Sequence, residues 1–136
     1  MQSREYSFEE ITEMQQIAKI IRQQIGMRNL MACGAREFKL LGFDSPKKGL
    51  QFRVNDGAKR QYIKVVLEPN DTYTVISYRL KRVTDEHIDI VDLYDIYCEQ
   101  LGETVYRMVN KLKAFITALT SIALGVIHNA KRDSPQ

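Results

Sequence analysis

The side chains able to do covalent or metal chemistry in this chain are few and far apart. There are two histidines, His87 and His128, and two cysteines, Cys33 and Cys98. A nucleophile needs a base within reach, and a structural zinc site needs four closely spaced ligands. No His-x-Glu, His-Glu-x-x-His, Gly-x-Ser-x-Gly or phosphate-binding glycine loop occurs. Cys33 beside Gly34 could act as a nucleophile and Cys98 as a ligand, but each reads more simply as a small packed thiol. The two thiols show no paired spacing, which points to a reducing compartment. The sequence therefore predicts a protein that is not an enzyme and that needs no cofactor and no metal.

Charge carries more pattern. The net charge is +3, but it is segregated along the chain. From Arg28 to Arg82 there are 12 Lys or Arg against 5 Asp or Glu; from Thr84 to Glu103 there are seven acids and no base. The basic part holds Lys47, Lys48, Arg53, Lys59, Arg60, Lys64, Arg79, Lys81 and Arg82, with Tyr62, Tyr73 and Tyr78 between them. Cations for phosphates and flat rings for bases are what a nucleic-acid surface needs; the plainer reading is a solvated sheet face. The acidic part offers Asp85, Asp89, Asp92, Asp95 and Glu99 at three- and four-residue steps. On a helix these share a face, able to hold a divalent ion or to imitate a phosphate backbone toward a partner. The plainer reading is a solvated face that complements the helix dipole. A chain so polarised can present two faces to different partners.

The elements that must position these charges follow from periodicity and punctuation. Ser7 and Glu10 stand at capping-box spacing. Behind them Ile11, Met14, Ala18, Ile21 and Ile25 fall on one helical face, and Gly26 is placed to end it. This predicts a helix over Phe8–Ile25. Asn29 to Leu41 predicts a short strand or a tight helix-to-strand turn, and Gly42 to Gly49 a turn. Leu50, Phe52 and Val54 alternate with polar residues, as do Ile63, Val65 and Leu67, and Tyr73 to Leu80 is β-branched and aromatic. Asn55-Asp56-Gly57 and Pro69-Asn70-Asp71 supply turns too short for crossovers, so the strands form an antiparallel meander.

The final segment has the most consequential pattern. Ile90, Tyr94, Tyr97, Leu101, Val105, Met108, Leu112, Phe115, Leu119, Ile122 and Val126 recur at steps of three and four. This predicts one helix from about Ile88 to Ala130, opened by Thr84 or Asp85. A helix of about 40 residues is roughly 60 Å long, whereas a compact chain of this size is only about 37 Å across. Such a rod either breaks, at Gly102 or Gly125, or is covered by another molecule. The expected cover is a second copy, packed on Leu112, Phe115, Leu119, Ile122 and Val126. Ala114 to Ile127 carries no formal charge, but it is shorter than the roughly 20 apolar residues that span a bilayer, so no membrane role is expected. The acids and the arginine near the N-terminus leave no secretion signal, which predicts a cytoplasmic protein.

The fold class predicted is α+β: a three- to four-stranded antiparallel sheet flanked by an N-terminal helix and a long C-terminal helix. The 136 residues make one domain, with a core over 7–105, a helical extension over 106–131 and a disordered tail over 132–136. The order α-β-β-β-α is similar to that of double-stranded RNA-binding domains. Those domains, however, begin their last helix with lysines, where this chain has Asp85, Glu86 and Asp89.

A second resemblance rests on motifs. Ile17-Ala18, Ile21, Gln24-Ile25-Gly26 and Cys33-Gly34-Ala35-Arg36-Glu37-Phe38 resemble the I-A-x-x-I-L-x-Q-L-G-G and M-T-G-A-K-x-F patterns of a loose family of small uncharacterised proteins. That family is carried by tailed phages, prophages and plasmids. Leu50, Phe52 and Val54 match its L-x-F-x-L; Ile63, Val65 and Leu67 its V-x-I-T-L; Asp71, Tyr73 and Val75 its D-x-Y-x-V; Tyr97 and Leu101 its closing Y-x-x-x-L. Met27 stands where a second glycine is usual and Cys33 where threonine is. The usual T-G-L ending is replaced by the run from Lys111 to Ala130. The resemblance implies a mobile-element origin and no particular activity. Together these readings predict a non-enzymatic phage-type binding protein of the host cytoplasm, acting as a homo-oligomer on a host factor such as a defence system. A nucleic-acid-binding module using the basic sheet is the alternative.

Overall fold

The computed structural model describes residues 5–43, 45–54 and 60–110. Helix α1 spans Phe8–Ile25, and its start is fixed by a complete capping box. The Ser7 hydroxyl accepts from the Glu10 N–H at 3.1 Å, and the Glu10 carboxylate accepts from the Ser7 N–H at 3.2 Å. Two otherwise unpaired backbone donors are satisfied at once. Gly26, at φ +88°, ends α1 and passes at once into a short helix α2, Met27–Ala32.

Five strands follow: β1 (Arg36–Leu41), β2 (Gly49–Val54), β3 (Gln61–Leu67), β4 (Tyr73–Leu80) and β5 (His87–Ile96). They form one antiparallel sheet in sequence order, β1-β2-β3-β4-β5. The Pro69-Asn70-Asp71 turn is present, with Asp71 at φ +63°; the Asn55-Asp56-Gly57 turn lies outside the described residues. A 3-10 turn, Cys98–Gln100, leads into helical residues 101–110, here called α3.

The core lies on one face of the sheet. Leu50, Phe52 and Val54 of β2, Ile63 and Val65 of β3, and Tyr73 and Val75 of β4 pack against Ala18, Ile21 and Ile25 of α1 and Leu101, Val105, Met108 and Val109 of α3. Period-two alternation sends Gln51, Arg53, Tyr62, Lys64 and Tyr78 to the opposite face, which no described helix covers. At Gly49 a Cβ would stand 1.9 Å from the Val65 carbonyl oxygen, so the closest approach of β2 to β3 needs glycine.

The α+β class and the antiparallel meander agree with the sequence reading, but the strand count and the last helix do not. The sheet has five strands, not three or four. His87–Ile96 is a strand, so the helix of about 40 residues expected from Ile88 is not borne out; among the described residues the C-terminal helical stretch is 13 residues, 98–110. Gly102 is not a break. It lies in the first turn of α3, where a Cβ would come within 2.6 Å of the Ile25 carbonyl oxygen and 2.7 Å of Asn29 Nδ2. The glycine lets α3 cross the α1–α2 junction closely. The expected self-association residues Leu112, Phe115, Leu119, Ile122 and Val126, with Gly125 and the tail, lie outside the described residues.

The physical reason for the misreading is local. Asp89 and Asp95 adopt positive φ, +55° and +58°, and the β4–β5 register shifts beside each. Aspartate tolerates this conformation, and each extra residue is a β-bulge. Two bulges stretch the period of two toward three, which imitates the spacing of a helix. Ile88, Val91, Leu93 and Ile96 face the helix side opposite Arg79, Ser77, Val75 and Tyr73.

Candidate functional site

The basic and acidic stretches, separate in sequence, meet in space. Arg60 pairs with Asp85, Arg79 with Asp89 at 3.1 Å, and Lys81 with Glu86 at 3.9 Å. Arg60 also donates to the Lys81 carbonyl at 3.2 Å, which stitches β3 to the β4–β5 turn. Elsewhere Arg53 pairs with Glu37 at 3.3 Å, Lys47 with Glu68 at 3.0 Å, and Lys48 with Glu13 at 2.9 Å. Six of the nine sequence-selected cations are thus neutralised within the chain. Lys59 lies outside the described residues, Arg82 sits on the exposed β4–β5 turn, and Lys64 lies 5.2 Å from the centre of the Tyr78 ring. Asp85 and Asp89 are spent on the same pairs.

The open sheet face carries a ladder of rings. Tyr62 stacks on Tyr78 at 5.5 Å, and Tyr78 on His87 at 4.2 Å, each with planes 18° apart. The Tyr78 hydroxyl donates to Gln51 Oε1 at 3.0 Å, and burial pushes its pKa up. His87, at the exposed end of the ladder, was weighed in the sequence only for covalent or metal chemistry, not as part of a ring stack. Its signal was there in outline: it stands one strand from Tyr78 if the acidic stretch is read as β.

The second feature is β5 itself. It is an edge strand, and Ile90, Val91, Leu93 and Tyr94 are all exposed, Tyr94 by 63%. Tyr97 follows, also exposed. Asp92 accepts from the Tyr94 hydroxyl at 3.2 Å, which raises the tyrosine pKa. The Cys98 thiol donates to Glu99 at 3.0 Å; this raises the thiol pKa and lowers that of the carboxylate. Among the described residues Asp92, Asp95 and Glu99 meet no cation. The expected helical face of five acids is therefore split. Asp85 and Asp89 close the hairpin, while Asp92, Asp95 and Glu99 form an acidic strip among exposed aromatic and aliphatic side chains.

The third feature was missed in the sequence. Lys19 and Arg22 of α1, Met27, Leu30 and Met31 of α2, and Phe38 of β1 surround a pocket of about 490 Å³. The Arg22 guanidinium lies 4.1 Å from the centre of the Phe38 ring. Met27 and Met31 are 75% and 74% exposed. Met27 and Met31, one helical turn apart just after a helix-ending glycine, were the available signal.

For chemistry the described residues offer little. No group of three or more His, Cys, Asp or Glu is placed to hold a metal among them. Cys33 is buried in the core and Cys98 is exposed, and neither is in a disulfide. No helix among the described residues is long and apolar enough to cross a membrane. No family model, curated protein or solved structure matches the chain.

Proposed function

We propose that this chain is a non-enzymatic protein-binding module of the phage-borne kind, which works by covering a surface of a protein partner. The observation that carries the reading is the β5 edge: exposed Ile90, Tyr94 and Tyr97 interleaved with Asp92, Asp95 and Glu99, which form no ion pair with any described cation. Apolar anchors ringed by charges of one sign suit a partner surface that is apolar and basic. Bulges at Asp89 and Asp95 discourage indiscriminate strand addition at this edge, so side chains rather than the strand backbone make the contact. A host factor, such as a component of a defence system, is the expected target, and an assembly of copies the expected active form. The test is a photo-crosslinking residue at position 94, activated in host cells with and without nuclease treatment. A discrete protein adduct that survives nuclease supports the reading; adducts that vanish with nuclease overturn it.

A nucleic-acid-binding module is the second reading, favoured by the Tyr62–Tyr78–His87 ladder and Lys64 beside it. A base could extend the stack on the His87 ring. Against it, most of the sheet's cations are already engaged by carboxylates. This reading expects a mobility shift at low salt that weakens with added salt and is lost in Lys64→Glu with His87→Ala; no shift at low salt ends it.

A further inference from the structure

We propose that the acidic aromatic strip at β5 docks into the methionine-lined pocket beside β1 of a second copy, so that copies join head to tail. The inference rests on the protein-binding reading above and names the partner of that surface.

Three observations lead to it. First, the pocket and the strip are complementary in kind. The pocket is lined by apolar Met27, Leu30, Met31 and Phe38 together with Lys19 and Arg22. The strip has exposed rings, Tyr94 and Tyr97, beside Asp92, Asp95 and Glu99. A pocket of about 490 Å³ falls in the range that seats a compact apolar group, and methionine side chains adapt well to aromatic rings.

Second, both surfaces carry charges that the described fold leaves without an ion pair. Most described cations of the sheet are met by carboxylates, but no described carboxylate meets Lys19 or Arg22, and no described cation meets Asp92, Asp95 or Glu99. Pairing pocket with pocket, or strip with strip, sets like charges together. Pairing pocket with strip sets opposite charges together.

Third, the two surfaces lie at opposite edges of one sheet. Phe38 belongs to β1 and Tyr94 to β5, the first and last strands of the sheet. One copy cannot fold its own strip into its own pocket across that distance. A contact between unlike surfaces leaves a free pocket at one end and a free strip at the other, so it closes as a ring or continues as a filament.

The experiment uses the full chain. Sedimentation of the wild type from low micromolar concentration to about 1 mM, where even weak contacts register, is expected to show mass rising above the 15.8 kDa of one chain and falling with added salt. Lys19→Glu with Met31→Asp disables the pocket; Tyr94→Ser with Glu99→Lys disables the strip. Each variant alone is expected to remain a single chain. Mixed together they retain one working pocket and one working strip, so they are expected to form a pair of chains and nothing larger.

A wild type that stays a single chain at the top concentration overturns the proposal. So does an assembly that survives in both variants but is lost in Leu119→Asp, because copies would then meet through the C-terminal residues. Methyl NMR of the unmodified chain guards against variants that fail to fold. Rising concentration should move the Met27 and Met31 signals and leave buried Met14 and Met108 in place; movement of neither exposed methionine overturns the proposal. A single-chain protein that still crosslinks to a host protein from position 94 overturns this inference and leaves the protein-binding reading standing. A single chain with no protein adduct removes both.

Discussion

β4 and β5 are neighbours in one sheet, are both rich in β-branched and aromatic residues, and have opposite fates. β4 has Tyr73, Val75, Ser77 and Tyr78 buried, with β3 on one side, β5 on the other and helices over its inner face. β5 has eight of its ten residues exposed. Hydrophobicity alone does not separate the two strands. Position in the sheet does: α1 lies chiefly over β1 and β2, and Ile96 is the one described side chain of β5 packed against the core cluster. The apolar side chains of β4 stabilise the fold, whereas most of those of β5 stay exposed.

The sharpest way to break that comparison is to truncate one residue of each kind. Phe52 of β2 is fully buried beneath α1, and Phe52→Ala is expected to lower unfolding free energy by about 3–5 kcal/mol. Ile90→Ser on β5 is expected to change it by no more than about 0.5 kcal/mol. Urea melts of both variants check this, and comparable losses would mean that β5 belongs to the core. A smaller effect is expected at Gly102→Ala. The added methyl must push apart α3 and the Ile25 carbonyl, which outweighs the helix propensity that alanine gains, for a net loss of about 1–2 kcal/mol. A higher melting temperature in this variant would contradict the close crossing of α3 over α1.

How much of this was legible in the sequence divides along the same line. Where one face is buried and the period is undisturbed, pattern reads true: α1 begins at Phe8 and ends at Ile25, and the alternating residues expected of β2 and β3 pack in or against the core. Where bulges interrupt a strand, pattern misleads. Ile90, Tyr94 and Tyr97 stand at helical spacing, yet the first two lie in β5, where bulges at Asp89 and Asp95 break the alternation that would have marked a strand. Propensity was the neglected arbiter, since Ile, Val and Tyr at such density favour strand, and Asp is a poor helix former. For the candidate site, the acids were identified but their division was not. No one-dimensional reading could tell that Asp85 and Asp89 fold back onto Arg60 and Arg79, leaving Asp92, Asp95 and Glu99 over. The methionine pocket was invisible for a similar reason: it is assembled from α1, α2 and β1.

Acid tests whether the ion pairs and hydrogen bonds at the sheet margin matter to the fold. Glu68 accepts from the Thr74 hydroxyl at 2.6 Å and pairs with Lys47. The Thr74 hydrogen bond, then Lys47, hold its pKa below the ordinary carboxylate value of 4.5. A carboxylate with a depressed folded pKa contributes stability that is full above its unfolded value and is lost as pH falls through the folded one. Glu68→Gln is therefore expected to melt lower than the wild type at pH 7, with the gap narrowing below about pH 4.5. A gap that is constant from pH 7 to pH 3 would assign the effect to packing.

The smallest effect expected is also the one that decides between the two uses of the sheet. Arg79 and Asp89 are partly exposed, with side chains accessible by 23% and 58%, and an exposed pair of this kind contributes about 0.2–1 kcal/mol. Asp89→Asn keeps a residue that tolerates positive φ while removing the charge, so a double-mutant cycle with Arg79→Ala isolates the pair from the bulge. The coupling should be measurable at low ionic strength and fade by 1 M salt, where screening reaches only about 3 Å. If it is zero even at low salt, the arginine is not engaged by its carboxylate. The basic stretch would then be available to phosphates after all, and the division between a self-neutralised sheet and a binding edge would no longer hold.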